Sequence, residues 1–558
     1  MDFLNKVSSF FIAVLAFLVT PLFAIIPSYN DYAFDIDSSV TGEELPNAVS
    51  NINIWNMKTT NDFTNLKINE KSNIGEFVEY VQLMQCTGGA IDRDLFKDPL
   101  DFDTLDDYDF APLIENCKGI LALGAKPHLK LGSVPLKYSE LARTDTTFGT
   151  NPYPPDDYNV YYNYIKAIGE ALVAEFGAEE VLSWRFGVMT EYENADWFFA
   201  PDKTPESSAA AYCKLYDYSV AALQDAIGEE VFVGAHSMTV TEGLWDEKIF
   251  IEHCAKGTNY KTGEKGSRIC FLSASFYDSE PGKFTSGKTL PETISYLQGC
   301  ANNAGLKDLI FGIDEGRILS GINSGKDDSQ LLSRTVGYTY QAAYDARLYK
   351  QLFDIGGDYL SSWDYLSGGL FEGNPTVSYH VANNVTKFKG MNRIETEKSD
   401  KGLLFQSDID CISAYNSEDN SVLVMAYNFK NDLCYKYSTD MKFNLNIPQL
   451  DGKDVEIKVY KIDDSCNYFD EWVEDRKVYG IGDDCFGWSP DDPVIESYTT
   501  LMDENARNIY FTELRDKYAD CSVLTPSVIN ATVKNGNLTL TETLAPNGVV
   551  FIEISPVQ

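Results

Sequence analysis

Between about residue 50 and residue 390, short apolar runs alternate with longer helical patterns. Runs of this length, rich in aliphatic and β-branched residues, are typical of strands buried on both faces. Repeated alternation of strands and helices favours a parallel α/β barrel over an open sheet. We therefore expect a (β/α)8 barrel over residues 50–391, with strands at 52–55, 78–83, 127–131, 182–188, 231–234, 269–272, 309–313 and 359–363.

Two of the intervening helices carry clear signals. Before the fourth predicted strand, apolar residues from Tyr161 to Leu172 recur on one helical face, and Gly177 is expected to end that helix. Thr204 is followed by Pro205, a cap residue and a favoured first helical residue, so another helix is expected to begin there.

After Met391 the pattern changes to strand-like runs at 421–429, 455–460 and 549–554, separated by Asn-, Asp- and Gly-rich turns. This spacing predicts an antiparallel β-sandwich over residues 392–558. Residues 476–525 are acidic and irregular, and we interpret them as an insertion in that domain. Residues 27–49 are predicted to be a linker or an N-terminal segment.

The first 26 residues have the character of an export signal, because Lys6 precedes an apolar segment at 10–26. We expect a secreted or cell-surface protein. The same segment approaches the shortest length that spans a bilayer, about 17 residues, so an uncleaved membrane anchor remains an alternative. The 11 cysteines include no CxxC spacing, which argues against a thiolate metal site.

The net charge of −39 argues against binding to nucleic acid, because phosphate backbones require clustered Lys and Arg. It is compatible with a soluble exported protein, and it gives little information about a ligand.

Catalytic groups of a barrel lie where its strands end, and two glutamates occupy such positions. Glu191 follows the fourth predicted strand and Glu315 follows the seventh. Cleavage of a glycosidic bond requires one protonated and one ionised carboxyl group facing each other. The pair therefore predicts a glycosidase acting on a carbohydrate without a cofactor. Glu193 is a rival for Glu191, because strand ends are predicted only within about two residues.

Four further residues at strand ends are candidates for binding a sugar: His128, His236, Tyr277 and Trp363. A Tyr hydroxyl could orient the nucleophile, and a Trp ring could stack on a pyranose. Histidines at such positions are more often hydrogen-bonded structural groups than catalysts. No other metal-ligand residues accompany them, so no metal is assigned. Trp363 is as readily explained as a core residue.

The segment 184–197 looks like the acid/base strand of clan A glycoside hydrolases, in which a Trp-Asn-Glu-Pro pattern presents the acid. More narrowly, the chain resembles glycoside hydrolase family 39, which includes β-xylosidases and α-L-iduronidases. Residues 127–135 are similar to the third strand of that family, and residues 269–277, 311–316 and 362–364 to its sixth, seventh and eighth. Residues 460–472 resemble a signature of its accessory domain.

This resemblance implies that Glu191 is the general acid/base and Glu315 the nucleophile of a retaining, double-displacement mechanism. It also implies that the two carboxylates lie about 5–5.5 Å apart. Tyr277 would be the hydrogen-bond partner of the nucleophile.

The chain departs from the family pattern at three positions of the sugar-recognition shell. Thr190 replaces an Asn that holds the 2-hydroxyl of the sugar, Tyr192 replaces a Pro, and Ser275 replaces a His. Asn194 is a candidate to supply the lost contact. A β-xyloside is the first expectation for the substrate.

Three alternatives stay open: an α-L-arabinopyranoside, a uronide whose carboxylate is met by Arg317 or Lys130, and a carbohydrate-binding or scaffold protein on a barrel that has lost catalysis.

Overall fold

The structure is a computed structural model that describes most of the chain after residue 31. The described ranges are 32–56, 74–240, 243–278, 288–318, 339–362, 375–400, 408–430, 436–468 and 508–557, with a few single positions between 471 and 479. The predicted signal or anchor at 1–26, Trp363, and most of the predicted insertion lie outside these ranges. Within them, no helix is both long enough and apolar enough to cross a bilayer.

Eight parallel strands close into a barrel, which confirms the predicted fold class. The barrel follows a first strand, β1 (Tyr32–Glu44), which belongs to a separate sheet. Each barrel strand pairs in parallel with its neighbours, and the first pairs with the last through Ile52 and Ser362. The barrel strands are β2 (Asn51–Asn56), β3 (Tyr80–Gln85), β4 (Lys126–Leu131), β5 (Arg185–Val188), β6 (Phe232–Met238), β7 (Phe271–Asp278), β8 (Ile310–Ile318) and β9 (Tyr359–Ser362).

Helices lie between the barrel strands, and the two that the sequence signals most clearly begin and end as expected. The Asp157 side chain caps the second helix by accepting from the amide of Asn159, and Gly177 ends it. The Thr204 side chain accepts from the amide of Ser207 and caps the fourth. The helices are α1 (Ala111–Leu123), α2 (Tyr158–Phe176), α3 (Ala178–Leu182), α4 (Pro205–Ala226), α5 (Lys248–Lys256), α6 (Leu290–Ala304), α7 (Thr339–Ile355) and α8 (Val377–Val385).

The second sheet has nine strands and is antiparallel except where β1 pairs with β13. Its apolar residues alternate with polar ones, and they form a core of their own that includes the stacked rings of Phe34 and Phe443. The strands are β10 (Asn392–Asp400), β11 (Asp408–Asn416), β12 (Ser421–Phe429), β13 (Thr439–Asn446), β14 (Asp454–Ile462), β15 (Ser527–Thr532), β16 (Asn537–Leu544) and β17 (Val549–Pro556). A short helix, α9 (Arg515–Cys521), precedes β15.

The prediction of a linker at 27–49 is wrong for residues 32–44. These residues form β1, which lies between β10 and β13 in the middle of the second sheet. The reason is visible in the burial: Phe34 and Ile36 are buried while Asp35 and Asp37 between them are more exposed, the period-two pattern of a half-buried strand. The N-terminal segment is therefore part of the second domain, from which it is separated in sequence by the whole barrel.

Nine of the cysteines lie in the described ranges, and each has a free thiol. Seven of them are buried, so they act there as small apolar side chains.

Candidate active site

The segment after β5 turns sharply and presents Glu191 over the barrel. Met189 and Glu191 both have positive φ angles, 61° and 41°, and the amide of Glu191 donates to the carbonyl of Ser237 near the end of β6 (2.8 Å). Non-glycine residues with positive φ are uncommon, and they occur often at functional sites. The turn therefore fixes the direction of the Glu191 side chain relative to two neighbouring strands.

The carboxylate of Glu191 is held by donors from its own loop. The indole nitrogen of Trp197 donates to its Oε2 (2.9 Å), and the Asn194 amide approaches the same oxygen at 3.5 Å. On the other side, the Ser275 hydroxyl of β7 hydrogen-bonds to Glu191 and also contacts the hydroxyl of Ser237 (2.8 Å). The predicted acid/base is thus positioned by three strands and one loop.

Glu315 lies on β8, directly after a residue that is locked into the barrel interior. The Asp314 carboxylate accepts from Ser273, from the Tyr359 hydroxyl (2.7 Å) and from the amide of Ser237 (3.3 Å). Gly312 makes room for this arrangement, because a Cβ there would overlap the Tyr359 ring. Because these bonds hold Asp314 rigidly, the next residue, Glu315, is presented at a defined place.

One hydrogen bond brings the two halves of the site together. The Thr190 hydroxyl, on the residue before Glu191, donates to Oε1 of Glu315 (3.1 Å). Because Thr190 follows β5 and Glu315 is the sixth residue of β8, this contact crosses the barrel mouth. The structure therefore places both predicted carboxylates in one pocket, and it gives Thr190 a direct contact with the predicted nucleophile.

The two carboxyl groups have different electrostatic surroundings. Burial, and after it the negative charge of Glu315, raise the pKa of Glu191 to about 7 against the opposing effect of the bonds from Ser275 and Trp197. A carboxyl group with this pKa holds its proton below about pH 7. Glu315 accepts the Thr190 hydroxyl and lies near the ammonium of Lys130. The two carboxyl groups therefore have different neighbours, although they lie at the same end of the barrel.

Lys130, on β4, supplies a positive charge near the two glutamates. Its ammonium is fully buried 4.9 Å from the centre of the Trp197 ring, and among the described residues it has no hydrogen-bond partner. Burial lowers the pKa of Lys130 to about 8, and the charges of Glu315 and Glu191 work against that lowering. From the sequence alone, Lys130 is a candidate partner for a uronide carboxylate, and in the structure it lies near the carboxylate of Glu315.

His128 and His236 lie one layer deeper in the barrel. Their rings contact each other edge to face, with centroids 5.2 Å apart, and Nε2 of His236 lies 2.7 Å from the Gln82 amide nitrogen. Burial lowers the pKa of both rings well below the usual value, so both are neutral. The structure therefore assigns them to the polar core that supports Asp314, and contact with a sugar stays a prediction for them.

These two histidines and Asp314 also form a group of three possible metal ligands. Their ligand atoms lie within 4.8 Å of one another, a wider spread than a bound metal ion imposes. The positive charge of Arg185 acts on both His128 and Asp314, and the charge of Lys130 acts on His236. Because two cations already lie beside this group, binding of a metal ion as a third is disfavoured. We therefore interpret the two histidines and Asp314 as part of the polar core.

Glu193, the rival of Glu191, has a different environment. It is fully buried, and its Oε1 accepts from the amides of Thr239 and Val240 (3.3 Å for Val240). Burial and the nearby charge of Glu247 raise its pKa well above the usual value. Glu193 thus holds the segment after β6 in place. The residues of this turn that interact with Glu315 are Thr190 and Glu191.

Some of the site follows from the sequence and some does not. Glu191, Glu315, Thr190 and Asn194 are brought together as predicted. The Tyr277 side chain and Trp363 lie outside the described residues. The sequence places Trp197 only at the end of the segment 184–197, and it identifies Ser275 only as a departure from the family pattern. Neither contact with Glu191 has a periodic signal, because both arise from the turn and the strand register.

Comparison with known proteins decides the family. The sequence profile described as glycosyl hydrolases family 39 matches residues 94–398, more than half of the chain. This protein belongs to glycosyl hydrolase family 39. The matched region includes both glutamates of the pocket.

Curated and solved relatives agree with this assignment. A β-xylosidase of Caldicellulosiruptor saccharolyticus is 22% identical over 342 residues, which cover 55% of this chain and 62% of that protein. The match thus spans less than two thirds of that relative. The structure of a family 39 enzyme from Xanthomonas axonopodis pv. citri aligns with a TM-score of 0.63 at 14% identity, covering 94% of this chain and 97% of that one. A monomeric β-xylosidase from Caulobacter crescentus aligns with a TM-score of 0.61 at 16% identity, over 94% of this chain and 100% of that one.

Proposed function

We propose that this family 39 protein is a retaining O-glycosidase in which Glu191 is the acid/base and Glu315 the nucleophile. The observation that carries the proposal is the Thr190–Glu315 hydrogen bond, which joins the acid/base turn to β8. The raised pKa of Glu191, about 7, supports the division of roles, because a proton donor must still hold its proton near neutral pH.

In the first step, Glu191 donates its proton to the glycosidic oxygen as the bond from that oxygen to the anomeric carbon breaks. The carboxylate of Glu315 forms a bond to the anomeric carbon, and a glycosyl-enzyme ester results. In the second step, Glu191, now ionised, takes a proton from water. The water oxygen attacks the anomeric carbon, and Glu315 leaves as a carboxylate.

The groups around Glu191 and Glu315 are suited to the changes of charge in these two steps. When Glu191 has lost its proton, Trp197 and Ser275 can still donate to it, which stabilises the charge that develops in the first step. Thr190 donates to the carboxylate oxygen of Glu315 that does not attack the anomeric carbon. If the substrate displaces that oxygen, the Thr190 hydroxyl donates to the substrate instead. The proposed substrate is a β-xyloside, since curated and solved relatives of this chain carry that activity in their names.

The test is hydrolysis of a panel of aryl glycosides: β-xyloside, α-L-arabinopyranoside, β-glucoside, β-galactoside, β-glucuronide and α-L-iduronide. We expect cleavage of the β-xyloside, and NMR of the reaction should show β-xylose before mutarotation, since double displacement retains configuration. The α-anomer as first product would contradict the retaining mechanism. No cleavage of any glycoside, together with measurable binding to glycans, would favour a carbohydrate-binding protein on the same barrel.

We further propose that the protein is exported, on the basis of the apolar segment at 10–26 after Lys6. Expression with and without residues 1–26, followed by separation of medium, membrane and cell interior, tests this. If the protein expressed with residues 1–26 appears in the medium at the mass of the shortened form, the signal is cleaved, and if it stays with the membrane, the segment is an anchor. If both forms stay in the cell interior, the proposal is overturned.

A further inference from the structure

A cleft of about 710 Å³ lies on the barrel face that carries the active site. It is formed by the loop that joins β3 to α1, residues 86–110, by the loop that joins β4 to α2, residues 132–157, and by the start of α2. Both loops leave the carboxyl ends of barrel strands, the end of the barrel at which Glu191 and Glu315 also lie. The residues that line the cleft differ from those that surround the two glutamates.

The walls of this cleft are held in place by buried hydrogen bonds. The ammonium of Lys137 has no exposed surface, and it donates to three acceptors of the segment 98–107. They are the carbonyls of Asp98 (3.0 Å) and Thr104 (2.8 Å) and the carboxylate of Asp107 (2.8 Å). These bonds fold the segment around the ammonium. A ligand therefore meets walls that are already ordered, which lowers the entropic cost of binding.

Large apolar side chains are exposed at the cleft. Phe102 lines it and is 57% exposed. Leu100, two residues earlier on the same loop, is 59% exposed, and Leu141, on the other loop between two residues that line the cleft, is 48% exposed. A group of exposed apolar side chains beside a cavity is typical of a binding surface. The Phe102 ring is suited to pack against the apolar C–H face of a pyranose.

The polar groups of the cleft are mainly carboxylates. Glu140, Asp156 and Asp157 line it, and all three are exposed. One oxygen of Asp156 accepts from the amide of Glu140 (2.7 Å), and one oxygen of Asp157 accepts from the amide of Asn159 (2.8 Å). These bonds fix the direction of both carboxylates. Carboxylates accept short, strong hydrogen bonds from hydroxyl groups, and the hydroxyls of a sugar are donors of this kind.

The charges of the cleft favour a neutral ligand over an anion. The two cations in its lining, Lys137 and Arg143, both have acidic neighbours. Asp107 lies 2.8 Å from Lys137, and Asp145 lies 3.8 Å from Arg143. The three lining carboxylates therefore leave a negative excess, which repels an anionic chain. An exposed ring beside oriented carboxylates fits a neutral ligand that is rich in hydroxyl groups.

One loop connects the cleft to the predicted acid/base. Thr144 lines the cleft, and Phe148, four residues later, stacks on Trp197 with ring centroids 4.1 Å apart. Four residues of chain extend at most about 14 Å, so the cleft begins within reach of this stack. The indole of Trp197 donates to Glu191, which protonates the leaving oxygen in the proposed function. The loop thus leads from the leaving-group side of the pocket to the cleft.

We propose that this cleft is a second carbohydrate-binding site, which holds the leaving-group end of a neutral oligosaccharide while its scissile bond lies at Glu191 and Glu315. Phe102 is the stacking surface, and the carboxylates of Glu140 and Asp156 accept from sugar hydroxyls. The direction of the bound chain rests on the proposed function, because it follows from the role of Glu191. Binding at the cleft does not. Long neutral oligosaccharides therefore bind more tightly than short ones.

The experiment measures affinity by calorimetry with the full-length Glu315→Gln protein, so that turnover does not interfere. The probes are xylobiose, xylohexaose and hexagalacturonate. We expect xylohexaose to bind at least about fivefold more tightly than xylobiose, and hexagalacturonate to bind more weakly than xylohexaose. Phe102→Ser in the same background should bring the ratio of the xylohexaose and xylobiose affinities close to one, because it removes the stacking surface.

Ile249→Ser is the matched control, because Ile249 is 47% exposed on α5 outside the cleft, and it should keep the ratio. Asp156→Asn is a second variant: its amide oxygen can still accept from the Glu140 amide, and the loss of the charged acceptor should lower the ratio. Equal affinity of the Glu315→Gln protein for both xylo-oligosaccharides would overturn the proposal. So would a ratio that Phe102→Ser leaves intact, or tighter binding of hexagalacturonate than of xylohexaose.

The result can be separated from that of the proposed function. If aryl glycosides are cleaved while the affinity ratio is one, the catalytic assignment stands and the second site is wrong. If binding depends on chain length and on Phe102 while no glycoside is cleaved, the second site stands and the catalytic assignment is wrong. If the aryl panel shows cleavage of another neutral glycoside, the disaccharide and hexasaccharide of that sugar replace the xylo-oligosaccharides. If Phe102→Ser changes only self-association in sedimentation velocity, the surface is an interface between copies, and the proposal falls.

Discussion

Replacement of Glu315 by Gln is expected to lower kcat on the best aryl glycoside by at least about 10⁴-fold. The amide has the size of the carboxylate and can still accept from Thr190, but it cannot form the ester with the anomeric carbon. The melting temperature should change little, because the side chain of Glu315 is held at the pocket and the interior bonds of β8 belong to Asp314. Steady-state kinetics with active-site titration measures the effect.

Glu170→Gln is the matched control for this change. It makes the same chemical substitution on α2, where the carboxylate lies 3.8 Å from Lys166 on the outer surface, and activity should be unchanged. If Glu315→Gln keeps more than about a tenth of the activity, the nucleophile is another group, and the assignment made from β8 is wrong. Accumulation of a covalent glycosyl ester on Glu315, detected by mass spectrometry with a 2-fluoro sugar, is the positive counterpart.

Replacement of Glu191 by Ala is expected to lower kcat/KM by about 10²–10⁴-fold on glycosides with poor leaving groups, the usual contribution of a positioned general acid. The loss should be much smaller on a dinitrophenyl glycoside, whose leaving oxygen needs no proton. Added azide should restore turnover by attacking the glycosyl ester. Glu193→Gln is the control: its amide oxygen can still accept from the backbone amides of Thr239 and Val240, so the fold and this dependence on the leaving group should be unchanged.

The same residue sets the expected pH dependence. Because Glu191 acts while protonated and burial raises its pKa to about 7, wild-type kcat/KM should be sustained below pH 7 and fall as the pH rises through that value. This alkaline limb should disappear in Glu191→Ala on the dinitrophenyl substrate. If the opposite pattern is found, with the limb kept by Glu191→Ala and lost in Glu193→Gln, the acid/base is Glu193.

The fold class and the two glutamates are determined by patterns that are local in the chain. Parallel strands buried on both faces are predominantly apolar, and a residue at a strand end has a fixed place in a barrel. Alternation of apolar runs and helices was therefore sufficient to position Glu191 and Glu315. The same reasoning missed β1, because a single alternating strand far from the rest of its sheet has no sequence neighbours to identify it. A long-range pairing of this kind is decided by burial of Phe34 and Ile36 against another part of the chain.

The protonation state and the contacts of each side chain were decided only by the tertiary structure. The sequence identifies two carboxyl groups but cannot say which one keeps its proton, because pKa values depend on burial and on neighbours from other strands. It also cannot separate Glu191 from Glu193, which face different surroundings because of one turn with positive φ angles. The sequence by itself determined the barrel and which residues lie near its mouth, since these follow from periodicity. Only tertiary packing decided that Thr190 contacts Glu315, that Trp197 and Ser275 hold Glu191, and that Lys130 is buried under the Trp197 ring, because those contacts join residues of different strands and loops.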